Sequence, residues 1–386
     1  MKIRRCAVLW LEPREVAHFE LDALLAGGTG VVSAIQWFAH APQLAAPLEI
    51  EAPIAEALGT LGPSEWVEAA SWRVDGDAFA ELLAHGIVVS DDAGHSDQRE
   101  VDDRYREQRW HGLASVWHAA SRWSGLDAAG EVAEAGVNTS AGLRDAHGVP
   151  PPALHERGDA TQRIALARVS RTPLDDLFDA RTTCRNFDTG SLVPQAQFAQ
   201  LLERVFGARG GVEAADDFEV LKKTSPSGGA LHPTEAYLIV QRVEGIAPGL
   251  YHYRAGDHAL QPLAPVDDLA RFAWVAVAGQ RWFADAHVLV VLAPRFHRNF
   301  WKYRNHAKAY RVTILDVGHL SQTLLLSATE LGLGAFVTAA INEADIEEAF
   351  GLTSFVDGPL AVCGFGIRAD TMVTSEFDPN GNVWPR

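Results

Sequence analysis

Short continuous apolar runs at Ala236–Val240, Val288–Ala293 and Ala361–Gly366 have the length and the β-branched and aromatic content of buried strands. Between them the apolar period lengthens to that of a helix. Pro194–Arg204 puts Phe198, Leu201 and Leu202 on one face, and Ala273–Gly279 reads as a short helix. Val312–Leu331 is apolar nearly all round, as a fully buried helix would be, whereas Gly207–Asp217 reads as a loop.

The first 95 residues have a shorter rhythm. Ile3–Leu11 and Val31–Phe38 read as strands, Ile54–Leu61 and Ser64–Ala70 as short helices, and Asp77–His85 as a helix running into Ile87-Val88-Val89. Small helices followed by an apolar ribbon are similar to a winged-helix module. Asp91–Glu107 is charged and poor in apolar residues, a linker or exposed helix start. In Trp110–Trp123 the residues Trp110, Leu113, Trp117 and Ala120 recur at helical spacing, with His118 as a hydrogen-bonded packing histidine. Ala128–Asp159, rich in Gly, Ala and Pro, reads as a mobile connection. The expected organisation is a winged-helix-like module over 1–95, a helical linker region over 96–164 and a main domain over 165–386.

Charge narrows the possible partners. A net charge of −17 argues against nucleic acid and anionic membrane, both of which need a basic footprint. The module is itself acidic, through Glu51, Glu56, Glu65, Glu68, Asp75, Asp77 and Glu81. That favours peptide recognition over DNA binding, with a structural appendage to a dimer as the alternative. Cys6, Cys184 and Cys363 are odd in number and far apart, which fits a reducing cytoplasm, and no metal-ligand spacing appears. The run Cys6–Leu11 stops at Glu12-Pro13, too short for a signal peptide, and no other run nears the ~18 residues of a membrane span.

Candidate chemistry sits in three segments. Ser225-Pro226-Ser227-Gly228-Gly229 cannot continue a helix, and its glycines let a planar or anionic ligand approach the main chain. Arg181-Thr182-Thr183-Cys184-Arg185 carries two arginines four apart. On a helical turn these share a face, so they could converge on one phosphate with a threonine hydroxyl between them. Arg295–Arg311, RFHRNFWKYRNHAKAYR, is the most basic segment of an acidic chain.

Taken together the first two segments resemble the nitroreductase superfamily, and within it the SagB-type azoline dehydrogenases of thiazole/oxazole-peptide maturation. The resemblance runs from about Ala165 to the C-terminus. It continues in Gly249-Leu250-Tyr251-His252-Tyr253, in Lys302-Tyr303, in Asp316-Val317-Gly318-His319 opening a buried helix, and in Glu330–Gly334. Cys184 within the arginine motif departs from the pattern.

The resemblance implies an α+β fold, with a central antiparallel-rich sheet flanked by helices. It implies an FMN enzyme in which Arg181, Thr183 and Arg185 hold the phosphate. Pro226, Ser227, Gly228 and Gly229 hold the ring, with Gly332 and Gly334 behind it, their amides exposed. It implies proton handling by Lys302, poised by desolvation, and Tyr303. Lys222 and Lys223 would place positive charge near the flavin. The implied partners are a precursor peptide, a cyclodehydratase or other maturation enzyme, and a second copy of the chain, whose contact is made by the buried helix and whose surface the tail would wrap. Two readings compete with peptide oxidation: an NAD(P)H-dependent flavin reductase of dehydroamino acids or nitro compounds, and a non-catalytic peptide-binding scaffold. No G-x-G-x-x-G follows a strand, so no resident nicotinamide site of Rossmann type is expected.

Overall fold

The computed structural model describes residues 1–384, and the chain divides into two compact units. The first comprises Met1–Arg122 together with Phe296–Arg311; the second comprises Trp123–Arg295 and Val312–Arg386. Among the described residues no helix is long and apolar enough to cross a membrane.

In the first unit a small antiparallel sheet has β1 (Lys2–Arg5) at its centre. The strand β5 (Val67–Glu68) lies on one side of it and β6 (Val88–Ser90) on the other. A second sheet is built on a long hairpin of β2 (Trp10–Phe19) and β3 (Val31–His40), extended by β4 (Leu48–Ile50). Ile3, Leu58, Leu82 and Ile87–Val89 fill the core between these strands and the helices Ala52–Thr60 and Gly76–Ala84.

Three expectations are corrected here. Ile3–Leu11 is not one strand: β1 ends at Arg5, and β2 starts at Trp10 and runs on through Glu12, Pro13, Arg14 and Glu15 with both faces largely wet. Ser64–Ala70 is no helix but β5 and one 3-10 turn, Ala69–Ser71. The charged stretch after β6 is a docked helix, Ser96–Gln108, held by charge rather than by an apolar stripe. Its Asp102 is buried and accepts from Arg4 at 3.0 Å, from Arg106 Nε at 2.7 Å and from the Ala7 amide at 2.6 Å.

The helix Gly112–Ala120 belongs to the same unit, where Trp110 and His118 pack among Phe296, Phe300 and Tyr310. As expected, His118 is a packing histidine whose Nδ1 pairs with the Tyr310 hydroxyl at 2.9 Å. Burial, aided by the Arg122 charge, pushes its pKa down to about 3, so the ring is neutral.

The second unit carries an exposed hairpin of β7 (Gly210–Ala215) and β8 (Phe218–Lys222), where a loop was expected. Its main sheet adds β9 (Thr234–Val240), β10 (Gly249–Arg254), β11 (Ala259–Pro262), β12 (Val288–Pro294), β13 (Gly334–Thr338) and β14 (Ala361–Gly366). The order is β11-β10-β9-β12-β14-β13, with every ladder antiparallel. All of β12 is buried, because helices cover both faces. Val288, Val290 and Leu292 meet Phe198, Leu201, Leu320 and Leu324 on one side. Leu289, Val291 and Ala293 meet Ala273, Phe283, Ile346 and Phe350 on the other. The α+β architecture read from the sequence is the one observed. Ala128–Asp159 is not wholly irregular, containing the helices Ala128–Glu134 and Ser140–His147.

Candidate functional site

Gly229 has φ +66°, and Ala230 and His232 also adopt left-handed backbone angles, so the chain after Pro226 turns sharply before entering β9. Side chains fix that turn. Asp316 accepts from the Ser227 hydroxyl at 2.5 Å and from the Gly228 amide at 3.1 Å, while Ser227 Oγ accepts from the His232 amide at 2.9 Å. Ser225 Oγ pairs with Thr323 Oγ1 at 2.7 Å. The loop is thereby stitched to the helix Ala309–Glu330 at Asp316 and, two turns further on, at Thr323. Burial raises the Asp316 pKa, against the opposing hydrogen bonds from Ser227 and Gly228. Asp316 lies two turns into this helix, so the D-x-G-H segment does not open it.

Pro226 and Ser227 line a small pocket with Lys223, His232, Thr234 and Asp316. Lys223 is buried there and its charge also reaches Glu235. Glu235 pairs with Arg295 Nε at 2.9 Å and His252 Nε2 at 3.3 Å. Burial pushes the Glu235 pKa up, but His252, Arg295 and Lys223 together hold it below the ordinary carboxylate value. Motif reading did not flag Glu235, which sits at the start of β9, and it marked Arg295 only as the first residue of the basic segment.

The arginine segment differs from expectation in geometry. It is extended, with Thr183 bridged to Ala335 and Phe187 to Arg368. Burial alternates along it: Thr182, Cys184 and Asn186 are buried, while Arg181, Thr183 and Arg185 are half-buried on the opposite side. In an extended strand alternate residues share a face, so the triplet is still presented together. The arginine Cα atoms lie roughly 13 Å apart, not one helical turn apart. Neither guanidinium has a carboxylate partner among the described residues, and Arg185 stands 5.8 Å from the Phe283 ring centroid. Half-buried arginines unpaired in a chain of net charge −17, with a hydroxyl between them, form a donor set that fits a phosphate-bearing ligand.

The buried side of the segment is held by Glu376, which no motif announced. Its carboxylate accepts from the amides of Arg185 at 2.6 Å and Asn186 at 3.0 Å, from Asn186 Nδ2 at 2.8 Å, from Trp384 Nε1 at 2.8 Å and from Arg368. Asn186 in turn accepts from the Val373 and Thr374 amides. Burial pushes the Glu376 pKa up, but the Arg185 amide, Trp384, Asn186 and the Arg368 charge outweigh it and leave the group below its ordinary value. Thr374, Glu376 and Trp384 of the tail thus bond within their own chain; Pro385 and Arg386 lie outside the described residues.

Gly332 and Gly334 are occupied structurally. Gly332, at φ +74°, ends the long helix, and its amide is spent on the Thr329 carbonyl. Gly334 is buried in β13, where an added Cβ would lie 2.4 Å from Cys184 Sγ. This close packing also explains Cys184: it is the knob that the glycine admits. Lys302 and Tyr303 lie in the first unit, at the end of the helix Phe296–Tyr303, with the Lys302 amine 5.7 Å from the Tyr303 ring centroid. Lys302 is exposed, so this chain does not supply the desolvation expected of it.

Comparison with known proteins bears on the second unit. Residues 179–367 match the model of the Nitroreductase family. A protein of Methanocaldococcus jannaschii that carries a nitroreductase name is 27% identical over 188 residues, which are 49% of this chain and 89% of that protein. The trifolitoxin-processing protein TfxB of Rhizobium leguminosarum bv. trifolii is 30% identical over 151 residues, 37% of this chain and 39% of that protein. The microcin B17-processing protein McbC of Escherichia coli is 27% identical over 150 residues, 38% of this chain and 54% of that protein. The similarity therefore spans only part of each processing protein.

Proposed function

Because residues 179–367 are a nitroreductase-family domain, we propose that the protein is an FMN-dependent oxidoreductase of peptide maturation, acting by two-electron oxidation of an azoline to an azole in a ribosomally made peptide. The observation that carries the cofactor is the unpaired, half-buried set Arg181, Thr183 and Arg185, which would hold the phosphate. Pro226, Ser227, Gly228 and Gly229 would meet the ring, on a loop that Asp316 and Thr323 keep from moving. Gly332, its amide spent on Thr329, would serve that end of the domain through its turn, and Gly334 through the room it leaves for Cys184.

When bound, the flavin supplies the two-electron acceptor for the oxidation. The chain's own residues handle the rest. Buried Lys223 places positive charge beside the Pro226–Ser227 loop, where it favours an anionic reduced ring. Lys302 and Tyr303 are the pair proposed to move the proton lost from the heterocycle. Since Lys302 is exposed, that role needs the substrate or a second copy to exclude water from its amine. The substrate class rests on the two processing proteins, whose names concern trifolitoxin and microcin B17. A cyclodehydratase as partner follows from the azoline substrate.

A visible spectrum of the purified protein, with the chromophore released by heat and identified, tests the cofactor. The expected result is FMN near one per chain, lost in Arg185→Ala. Incubation with an azoline-containing peptide should then remove two hydrogens, and Lys302→Ala should abolish that loss. A colourless protein unable to take up FMN would favour the scaffold reading. Bleaching of the flavin by NADPH without peptide would favour the reductase.

A further inference from the structure

Five Lys or Arg and no Asp or Glu lie between Phe296 and Arg311, in the same unit as Met1–Arg122, where ten Lys or Arg face nineteen Asp or Glu. Arg304, His306, Lys308 and Arg311 are exposed, and Arg304, Lys308 and Arg311 have no carboxylate partner among the described residues. In a unit with acid to spare, local cations would ordinarily find partners, as Arg4 and Arg106 do with Asp102.

The segment that carries these cations is ordered from beneath. Phe296 and Phe300 are buried against Trp110, with ring centroids 4.7 Å away in both cases. Asn305 Nδ2 donates to the Trp110 carbonyl at 2.9 Å, and the turn closes through Arg304 N to Phe300 O at 2.7 Å and Ala309 N to His306 O at 2.9 Å. Trp301 adds an aromatic surface, 54% exposed, beside the basic turn. A turn whose backbone is already fixed adds little backbone-ordering cost when its cations bind an anion.

We propose that this face is a docking surface for an acidic stretch of the peptide substrate, with Trp301 receiving an apolar side chain. The identification of the occupant as substrate rests on the peptide-maturation reading above. Nucleic acid and anionic membrane fit less well, because an extended polyanion meets the repulsive field of a chain carrying −17. A short acidic peptide feels mainly the charges within a Debye length, ~8 Å at physiological ionic strength.

The test uses the full chain and a short fluorescein-labelled peptide rich in Asp and Glu with one Leu-Phe pair, followed by anisotropy. A matched peptide has Asn and Gln in place of the acids. The acidic peptide should bind, weakening as salt rises, and the matched peptide should not. The triple variant Arg304→Glu, Lys308→Glu, Arg311→Glu should weaken binding about tenfold or more, the equivalent of three exposed ion pairs. Arg304→Lys, Lys308→Arg, Arg311→Lys should retain it.

Equal binding of both peptides, or no change in the charge-reversed variant, would overturn the proposal. So would a single-stranded oligonucleotide that outcompetes the peptide, or a charge-reversed variant that turns from dimer to monomer, which would assign the face to a second copy. Flavin content read on the same preparations separates the two readings. Flavin-free protein that still binds the acidic peptide loses the enzyme reading and keeps the surface. Flavin-loaded protein that oxidises azoline peptides but ignores the acidic probe loses the surface alone.

Discussion

Two carboxylates organise the candidate site, and their environments push them in opposite directions. Asp316 is raised by burial and takes its hydrogen bonds from Ser227 and Gly228. Glu376 is buried too, yet N–H donors from Arg185, Asn186 and Trp384 and the Arg368 charge hold it low. A carboxyl lowered in the fold adds stability that is present above its ordinary pKa of about 4.5 and is lost as pH falls through the lowered folded value. Glu376→Gln should therefore cost about 3 kcal/mol at neutral pH, because it leaves the half-buried Arg368 charge beside a neutral amide. The gap from the parent should narrow as pH falls below about 4.5, which urea denaturation across pH would show. A gap independent of pH would mean that Glu376 acts through packing alone. At this scale the arginines and the glycine loop were legible, since residue type carries their chemistry. Glu376 was not: an acid in a polar tail has no periodicity, and its partner segment lies 190 residues away.

Elements were legible where an apolar face defined them. The helix Gln195–Phe206 and the strand β12 came out of hydrophobic spacing almost to the residue. Where charge or a close approach defines the element, spacing says nothing. Ser96–Gln108 docks through Asp102, and the arginine segment is extended because Cys184 N bonds to Ala335 O at 2.9 Å along β13, a partner no local pattern reveals. That pairing sets a steric condition. Gly334→Ala would place Cβ 2.4 Å from Cys184 Sγ, and should destabilise the second unit by about 1–3 kcal/mol. Cys184→Ala removes the sulfur, so the double variant should recover part of the loss, a coupling of about 1 kcal/mol by thermal or urea unfolding. Additive costs would show that Gly334 is needed for something other than room for Cys184.

For the whole molecule, the sequence marked Val312–Leu331 as buried all round, and the single chain shows why that description is incomplete. Val317, Leu320, Leu324, Leu325 and Ala328 do face the sheet. On the other side Ile314 is 38% and Leu315 57% exposed, in a stripe with Gly318 and Gln322. Apolar periodicity reports that a position prefers to be out of water without saying whether its own chain or another covers it. The proposed homodimer resolves this if the stripe meets its copy, and a symmetric contact would then repeat each residue on both sides. Leu315→Glu places like charges across such a contact, so light scattering should find this variant monomeric while the parent is a dimer. If the flavin site is completed by the second copy, the variant should also purify without FMN although its circular dichroism is unchanged. A parent that is monomeric and fully loaded with FMN would rule out the dimer and leave the exposed leucine to another partner.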